Sequence, residues 1–135
     1  MDKVVVIGGA GFMGSHTADI LSDRGFKVTI FDNKPSCWLR DDQEIVVGDI
    51  LDRDTVNTVL SGARYLYHFA GIADIGEAKE RPFDTVNLNV MGTTVALEAA
   101  VKSGVERFIY ASTMYVYSPY GSFYRASKQA AEIII

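Results

Sequence analysis

The segment Lys3–Gly14 reads KVVVIGGAGFMG and sets the expected class of fold. Its first half is a β-branched run, which predicts a strand buried on both faces of a parallel sheet. Glycines follow at Gly8, Gly11 and Gly14, where a helical pattern begins. The first glycine permits a tight turn, the second lets backbone approach a diphosphate, and the third allows close packing of helix on strand. This context favours a dinucleotide-binding turn over a purely structural one.

Short apolar runs and amphipathic stretches alternate along the rest of the chain. Strands are predicted at 3–7, 26–31, 44–47, 65–69 and 107–111, and helices at 12–24, 52–60, 83–102 and from about 120–123 to 135. Strands that alternate with helices through short connections indicate right-handed crossovers and a parallel sheet. We therefore predict one α/β domain over residues 1–135. The chain ends in the apolar run Glu132–Ile135, which indicates a piece of a longer polypeptide.

Composition narrows the classes of function. The 135 residues include 13 basic and 17 acidic side chains, with a formal net charge of −4 and no long run of either sign. A nucleic-acid-binding protein usually carries a basic stripe, so no nucleic-acid partner is expected. The single cysteine, Cys37, excludes an internal disulfide and any cysteine-rich metal site, and no metal is predicted. No apolar run approaches the roughly 20 residues of a membrane span, so we expect no membrane partner and a cytoplasmic location.

Two acidic positions extend the predicted dinucleotide site. Asp32 ends the second strand, where a carboxylate accepts hydrogen bonds from the adenosine ribose and repels a 2′-phosphate, which favours NAD over NADP. Asn33 follows it, and Lys34 can soften that selectivity. Asp49 and Ile50 follow the third strand, where they can flank the adenine. The structural alternatives are an N-cap or turn role for Asp32 and a loop cap for Asp49.

Several further motifs follow the glycines in a fixed order. They are HFAG at 68–71, NLNVMGT at 87–93, RFIYAST at 107–113 and YRASK at 124–128. With them, essentially the whole chain resembles the extended short-chain dehydrogenase/reductase superfamily, in particular its NAD-dependent epimerase/dehydratase family. The resemblance implies a Rossmann-type doubly wound sheet of strand order 3-2-1-4-5, with NAD as the cofactor. It also implies a UDP- or dTDP-linked nucleotide sugar as the substrate, and a homodimer formed through the helices at 83–102 and 121–135.

The pair Tyr124 and Lys128 makes chemical sense without the family. Four residues apart on a helix, the two side chains share one face. An ammonium near a phenol favours the phenolate, which can accept a proton from a sugar hydroxyl while hydride leaves the same carbon. In the family the lysine also binds the nicotinamide ribose, and a Ser or Thr after the fifth strand hydrogen-bonds the reacting oxygen. Thr113 matches that position, and Ser112 is the competing candidate.

The resemblance assigns further residues to the cofactor site. The site includes the three glycines, Asp32 with Asn33, Asp49 with Ile50, and the pair Tyr124 and Lys128. The further residues are Phe12, Met13, Phe69, Ala70, Gly71, Asn89 and Ala111. Asn89 can instead hydrogen-bond backbone across the sheet, as the family's asparagine does. His68 is interpreted as a structural histidine rather than a catalyst. The tyrosines at 110, 115 and 117 are interpreted as strand packing rather than as a base-stacking platform.

Two departures from the family pattern leave the function open. Only ten residues separate Thr113 from Tyr124, a shorter connection than in nucleotide-sugar members, and Ala73 stands where the sugar epimerases suggest a lysine. The family's C-terminal substrate domain has no counterpart after Ile135. The leading hypothesis is an epimerase or dehydratase, or its N-terminal portion, that oxidises a sugar carbon transiently. The alternatives are an NAD(P)-dependent carbonyl reductase or hydroxysteroid-type dehydrogenase and a non-catalytic dinucleotide-binding protein.

Overall fold

The five predicted strands form one parallel sheet in the computed structural model, which describes residues 1–135. The strands are β1 (Lys3–Ile7), β2 (Lys27–Asp32), β3 (Gln43–Val47), β4 (Ala63–His68) and β5 (Arg107–Tyr110). Their order is β3-β2-β1-β4-β5, and every neighbouring pair is parallel. The predicted Rossmann order is therefore confirmed. Because the chain runs outward from β1 to β3 and then returns to β4, a crevice forms beyond the carboxyl ends of β1 and β4.

Six α-helices cover the sheet and its carboxyl edge. They are α1 (Phe12–Asp23), α2 (Arg53–Leu60), α3 (Ile75–Glu80), α4 (Pro82–Val86), α5 (Gly92–Lys102) and α6 (Ser122–Ile134). A π-helical segment, Asn87–Met91, joins α4 to α5, so the helix predicted over 83–102 is continuous but unevenly wound. A short 3₁₀ helix, Met114–Tyr117, precedes α6. None of the helices combines the length and the hydropathy needed to span a bilayer.

The central strand β1 separates two apolar cores. Val5 and Ile7 face a larger core that includes side chains of α2 and α5. Val4 and Val6 face a smaller core against Ala18 and other residues of α1. The apolar side chains of β1 are all buried, as expected for the middle strand of a sheet covered on both faces. The carboxyl end of β1, from which the glycine turn departs, is therefore held firmly by packing on both sides.

The tyrosines interpreted as strand packing divide between two elements. Tyr110 ends β5 and is half-buried, whereas Tyr115 and Tyr117 lie on the 3₁₀ helix that follows. The Tyr117 side chain is 91% exposed. Packing against the sheet describes Tyr110 alone, because the chain leaves the sheet immediately after it.

Candidate functional site

The three motif glycines between β1 and α1 differ in their steric roles. Gly8 has a φ of +81°, and a Cβ there would lie 2.6 Å from the backbone nitrogen of Ala70. A Cβ on Gly14 would lie 2.2 Å from the carbonyl oxygen of Gly8. A Cβ on Gly11 would meet only that same oxygen, at 3.4 Å. Gly8 and Gly14 are therefore required by packing, whereas Gly11 leaves a free surface at the start of α1.

The N-terminus of α1 offers unpaired backbone donors next to that free surface. Gly11 is the N-cap residue and provides no side-chain acceptor, and the first turn contains no acidic side chain. The first N–H groups of a helix have no intrahelical partner and carry partial positive charge, so they bind anions well. Phe12 and Met13 contribute such N–H groups, and their side chains are exposed. The turn therefore has the donors that a diphosphate requires.

A cleft of about 250 Å³ opens beside the turn, beyond the carboxyl ends of β1, β2 and β4. Nine residues assigned to the cofactor from the sequence line it: Gly8, Gly11, Asp32, Asn33, Asp49, Ile50, Phe69, Ala70 and Gly71. Five more line it that were not assigned: Ile7, Phe31, Lys34, Gly48 and Leu88. All five adjoin an assigned residue in the chain, and Leu88, which precedes Asn89, reaches the cleft from the π-helical segment. These nine assignments meet in one crevice, where open α/β sheets bind their ligands. The other seven do not line it: Phe12, Met13, Gly14, Asn89, Ala111, Tyr124 and Lys128.

The two acidic residues of the cleft also brace its loops. The Asp32 carboxylate accepts hydrogen bonds from the backbone N–H of Ala10 at 2.9 Å and of Lys34 at 3.3 Å. Asp49 accepts one from the N–H of Leu51 at 2.9 Å. The structural alternatives weighed from the sequence therefore occur, yet each carboxylate oxygen keeps further lone pairs for a ligand. The Asp32 carboxylate suits the hydroxyls of a ribose, and the N–H donors of α1 suit a diphosphate. A dinucleotide contains these two groups next to each other.

Tyr124 and Lys128 lie one turn apart on α6, and both are buried. The Lys128 ammonium donates a hydrogen bond to the carbonyl oxygen of Ala111 at 2.9 Å. Its Nζ lies 4.7 Å from the ring centroid of Tyr110 and 5.9 Å from that of Tyr124. No carboxylate forms an ion pair with it. Burial lowers the pKa of Lys128 to about 8, so most of the ammonium persists at neutral pH.

The hydroxyls of Ser112 and Thr113 are engaged differently. Ser112 donates its hydroxyl hydrogen to the carboxylate of Glu132 on α6. The Thr113 hydroxyl accepts from the N–H of Tyr115 at 3.3 Å and caps the 3₁₀ helix, and its own hydrogen has no acceptor within the chain. A donor for a reacting oxygen needs an uncommitted hydrogen. Of the two candidates, Thr113 meets that requirement.

His68 is a neutral, buried member of a hydrogen-bonded network. Its Nε2 lies 2.9 Å from the hydroxyl of Thr93, which donates its own hydrogen to the carbonyl oxygen of Asn89 at 2.6 Å. Nε2 must therefore carry the imidazole proton, which leaves Nδ1 as a buried acceptor without a partner. Burial, followed by the nearby charge of Lys128, lowers the pKa of His68 to about 3. This environment agrees with a structural histidine.

Asn89 joins the loop after β4 to α6 through its side-chain amide. Its Oδ1 accepts from the N–H of Ile72 at 2.8 Å, and its Nδ2 donates to the carbonyl of Ile72 and the hydroxyl of Ser127, both at 3.0 Å. Ser127 in turn donates to the carbonyl of Tyr124 at 2.8 Å. A Cβ on Gly71 would lie only 2.4 Å from the Asn89 Oδ1. Asn89 thus contacts protein backbone and does not line the cleft.

Sequence reasoning missed two members of this network, Thr93 and Ser127. Each carried a weak signal, because each is a small polar residue on an otherwise apolar helix face. Thr93 follows Asn89 by one helical turn, and Ser127 directly precedes Lys128. Their partners come from elements far apart in the sequence, so spacing alone does not reveal the bonds.

Comparison with known proteins agrees with this geometry. The model of the NAD dependent epimerase/dehydratase family matches residues 4–134. The chain belongs to this family. As a member of an NAD-dependent family, it presents at the predicted cleft the donors and acceptors that suit NAD.

Individual relatives of this epimerase/dehydratase family member include enzymes of two kinds. The UDP-glucose 4-epimerase of Rhizobium leguminosarum bv. trifolii is 34% identical over 124 residues, which are 86% of this chain and 37% of that protein. The 3 beta-hydroxysteroid dehydrogenase/Delta 5→4-isomerase of Mycobacterium tuberculosis is 36% identical over 121 residues, 84% of this chain and 32% of that protein. The crystal structure of UDP-glucose 4-epimerase from Brucella ovis in complex with NAD has a TM-score of 0.91 at 30% identity, over 99% of this chain and 46% of that one.

Proposed function

We propose that this chain forms the NAD-binding and proton-transferring part of a UDP-sugar 4-epimerase. The observation that carries the proposal is the buried ammonium of Lys128, held one helical turn from Tyr124 without a carboxylate partner. The Lys128 ammonium is bound by the carbonyl of Ala111, just beyond β5. Strand β5 pairs with β4, and the residues that follow β4 line the cleft. When bound, NAD supplies the hydride acceptor, and then the hydride donor, for one sugar carbon.

The residues of the chain have separable roles in this proposal. The first helical turn of α1 binds the diphosphate through its N–H groups, and Asp32 accepts hydrogen bonds from the adenosine ribose. Tyr124, as the phenolate, accepts the proton of the sugar hydroxyl and returns it when the carbonyl is reduced. Lys128 favours that phenolate by its positive charge. Thr113 donates a hydrogen bond to the same sugar oxygen.

The test is Tyr124→Phe in the intact protein, with the interconversion of UDP-glucose and UDP-galactose as the assay. Loss of the proton acceptor should lower kcat by about 100-fold or more, while NAD binding persists. Tyr120→Phe is the matched control, because Tyr120 is also a tyrosine near α6 but is 76% exposed and has tyrosine, not lysine, four residues later. Unchanged turnover in Tyr124→Phe defeats the assignment of the base.

A second candidate function is a hydroxysteroid-type dehydrogenase. It is favoured by the 36% identity to the Mycobacterium tuberculosis dehydrogenase/isomerase. The two functions differ in the fate of the hydride, because an epimerase returns it to the sugar whereas a dehydrogenase leaves it on the cofactor. Net accumulation of NADH with a hydroxysteroid, and none with UDP-glucose, supports the second candidate.

The proposal includes a homodimer formed through α4–α5 and α6. These helices carry large apolar side chains that the chain itself leaves in solvent: Phe83 is 78% exposed, Val101 75% and Ile133 86%. In the proposed dimer, these side chains are buried against the second copy. The two helical regions are the ones that the family resemblance assigns to the dimer.

A further inference from the structure

The ammonium of Lys128 is surrounded by neutral groups. Resting on the proposed function, in which this ammonium acts on Tyr124, we propose that Tyr110 is a positioning residue. The face of its ring holds the Lys128 ammonium, still charged, beside Tyr124. Tyr110 directly precedes the Ala-Ser-Thr run and acts on the proposed reaction only through Lys128.

The distances support a cation–π contact. A cation within about 6 Å of a ring centroid is attracted by the negative face of the ring. The Lys128 Nζ lies 4.7 Å from the Tyr110 centroid, which is closer than the Tyr124 centroid at 5.9 Å. The carbonyl of Ala111 provides the hydrogen bond at 2.9 Å. Two consecutive residues at the end of β5 therefore fix the ammonium, one by its ring and one by its backbone.

The Tyr110 ring is itself held in place by the sheet. Its centroid lies 5.7 Å from that of His68, the residue paired with Tyr110 across β4 and β5. Its hydroxyl oxygen is buried without a hydrogen-bond partner. The hydroxyl therefore forms no hydrogen bond that could hold Lys128, and the ring is the part of Tyr110 that contacts the ammonium.

The titratable groups around Lys128 leave its charge uncancelled. His68 is neutral because burial holds its pKa near 3, and burial raises the pKa of the Tyr110 phenol above its ordinary value. Glu132, one turn further along α6, is the nearest acidic residue on that helix, and its carboxylate is bound to Ser112. A carboxylate beside Nζ would stabilise the ammonium but would cancel its field at Tyr124. A ring face and a carbonyl stabilise the ammonium and preserve that field.

The decisive experiment is a pH titration of Lys128 by NMR in the intact protein labelled with ¹³Cε-lysine, comparing Tyr110→Leu with Tyr110→Phe in the same cofactor state. Leucine removes the ring, so the pKa of Lys128 should fall by about one unit, a tenfold change in acidity. Phenylalanine keeps the ring and should leave the pKa within about 0.3 unit of the wild type. An unchanged pKa in a folded Tyr110→Leu protein overturns the proposal.

A second measurement does not depend on the folding of any variant. In the wild type, the ε-protons of Lys128 should resonate upfield of those of the other lysines, because they lie over the face of a ring. Ordinary shifts for those protons overturn the proposal. Neither measurement needs turnover, so failure here is distinguishable from failure of the proposed function, which the Tyr124→Phe assay reports. Where both hold, Tyr110→Leu should lower kcat with little change in KM.

Discussion

The imidazole of His68 makes the stability of the fold sensitive to acid. Its folded-state pKa is about 3, whereas the unfolded chain titrates near 6.5. The unfolded state therefore binds more protons between pH 6.5 and 3, and stability is lost as pH falls through that window. We expect His68 to lower the free energy of unfolding by about 1.4 kcal/mol per pH unit there.

Urea unfolding of the wild type and His68→Gln between pH 7 and 4 measures this slope. Glutamine keeps an N–H donor for Thr93 but has no group that titrates, so its curve should be flatter by the stated amount. Parallel curves for the two proteins would mean that His68 is protonated in the folded state.

Individual side chains were predictable where chemistry alone assigns them. The three glycines of the turn were predicted from their spacing after β1, and Asp32 from its place at the end of β2. Of these four residues, Gly8, Gly11 and Asp32 line the cleft. Ser127 and Thr93 were not, because their roles depend on partners brought together by packing. The same reason applies to Tyr110, whose neighbour Lys128 is 18 positions away in the chain and one contact away in space.

The glycine turn gives a matched pair of substitutions for the β1–α1 connection. Gly14→Ala drives a methyl group to 2.2 Å from the Gly8 carbonyl, so α1 must move, at a cost of about 2–3 kcal/mol in the free energy of unfolding. Gly11→Ala meets nothing closer than 3.4 Å and should change stability by less than about 1 kcal/mol. Gly11→Ala should nevertheless weaken NAD binding, because its methyl group occupies the diphosphate surface.

Urea unfolding and NAD titration of both variants separate the two roles. The expected pattern is a destabilised Gly14→Ala protein and a stable Gly11→Ala protein that binds NAD poorly. Equal stability of the two variants would show that α1 moves away from the strand without cost.

The bond between α6 and the loop after β4 should be lost in Asn89→Ala. The substitution leaves the N–H and C=O of Ile72 and the hydroxyl of Ser127 without their buried partner. We expect the free energy of unfolding to fall by about 3 kcal/mol or more. Ser127→Ala removes fewer bonds and should cost about 1–2 kcal/mol. Thermal or urea unfolding ranks the stability of the two variants. A Ser127→Ala protein that is less stable than Asn89→Ala contradicts the prediction.

The elements that escaped prediction are short or irregular. The helix α3 follows Asp74, whose side chain accepts from the N–H of Glu77 at 2.7 Å, a capping pattern that was legible in the sequence. The helix α3 was not predicted because it has only six residues and contains Gly76 in its first turn. The π-helical segment was not predicted, because the helical pattern over 83–102 does not mark where one extra residue enters a turn. Long periodic segments, by contrast, were predicted to within a few residues at each end.

The proposed association of two copies can be tested on the whole chain. Phe83→Glu or Val101→Glu places a charge on the apolar surface of α4–α5 and should raise the dimer Kd by about tenfold or more. Ile20→Glu is the matched control, because Ile20 is 55% exposed on α1, away from the proposed interface. Sedimentation velocity across a concentration series measures all three. A wild-type protein that remains monomeric at every concentration contradicts the dimer.

The parallel sheet followed from the alternation of strands and helices, and its strand order followed from the family resemblance. The substrate did not follow, because the chain spans only 37% of the rhizobial epimerase and 46% of the Brucella structure. What the chain presents is a cofactor cleft and a buried Tyr–Lys pair. The chain resembles a sugar epimerase and a steroid dehydrogenase at similar identity, so its residues alone do not select one substrate class.

The π-helical segment also constrains how the gene for this protein can change. In it, the N–H of Gly92 bonds to the carbonyl of Asn87, five residues back instead of four. A π turn holds one residue more than an α turn, so deleting one codon within Asn87–Met91 would let the segment wind as a regular α-helix with little rotation of the flanking helices. Deleting one codon within α5 would instead turn the residues before the deletion by about 100° relative to those after it. Among single-residue deletions in this helical stretch, those that remove the extra residue and keep Asn89 should therefore be the best tolerated.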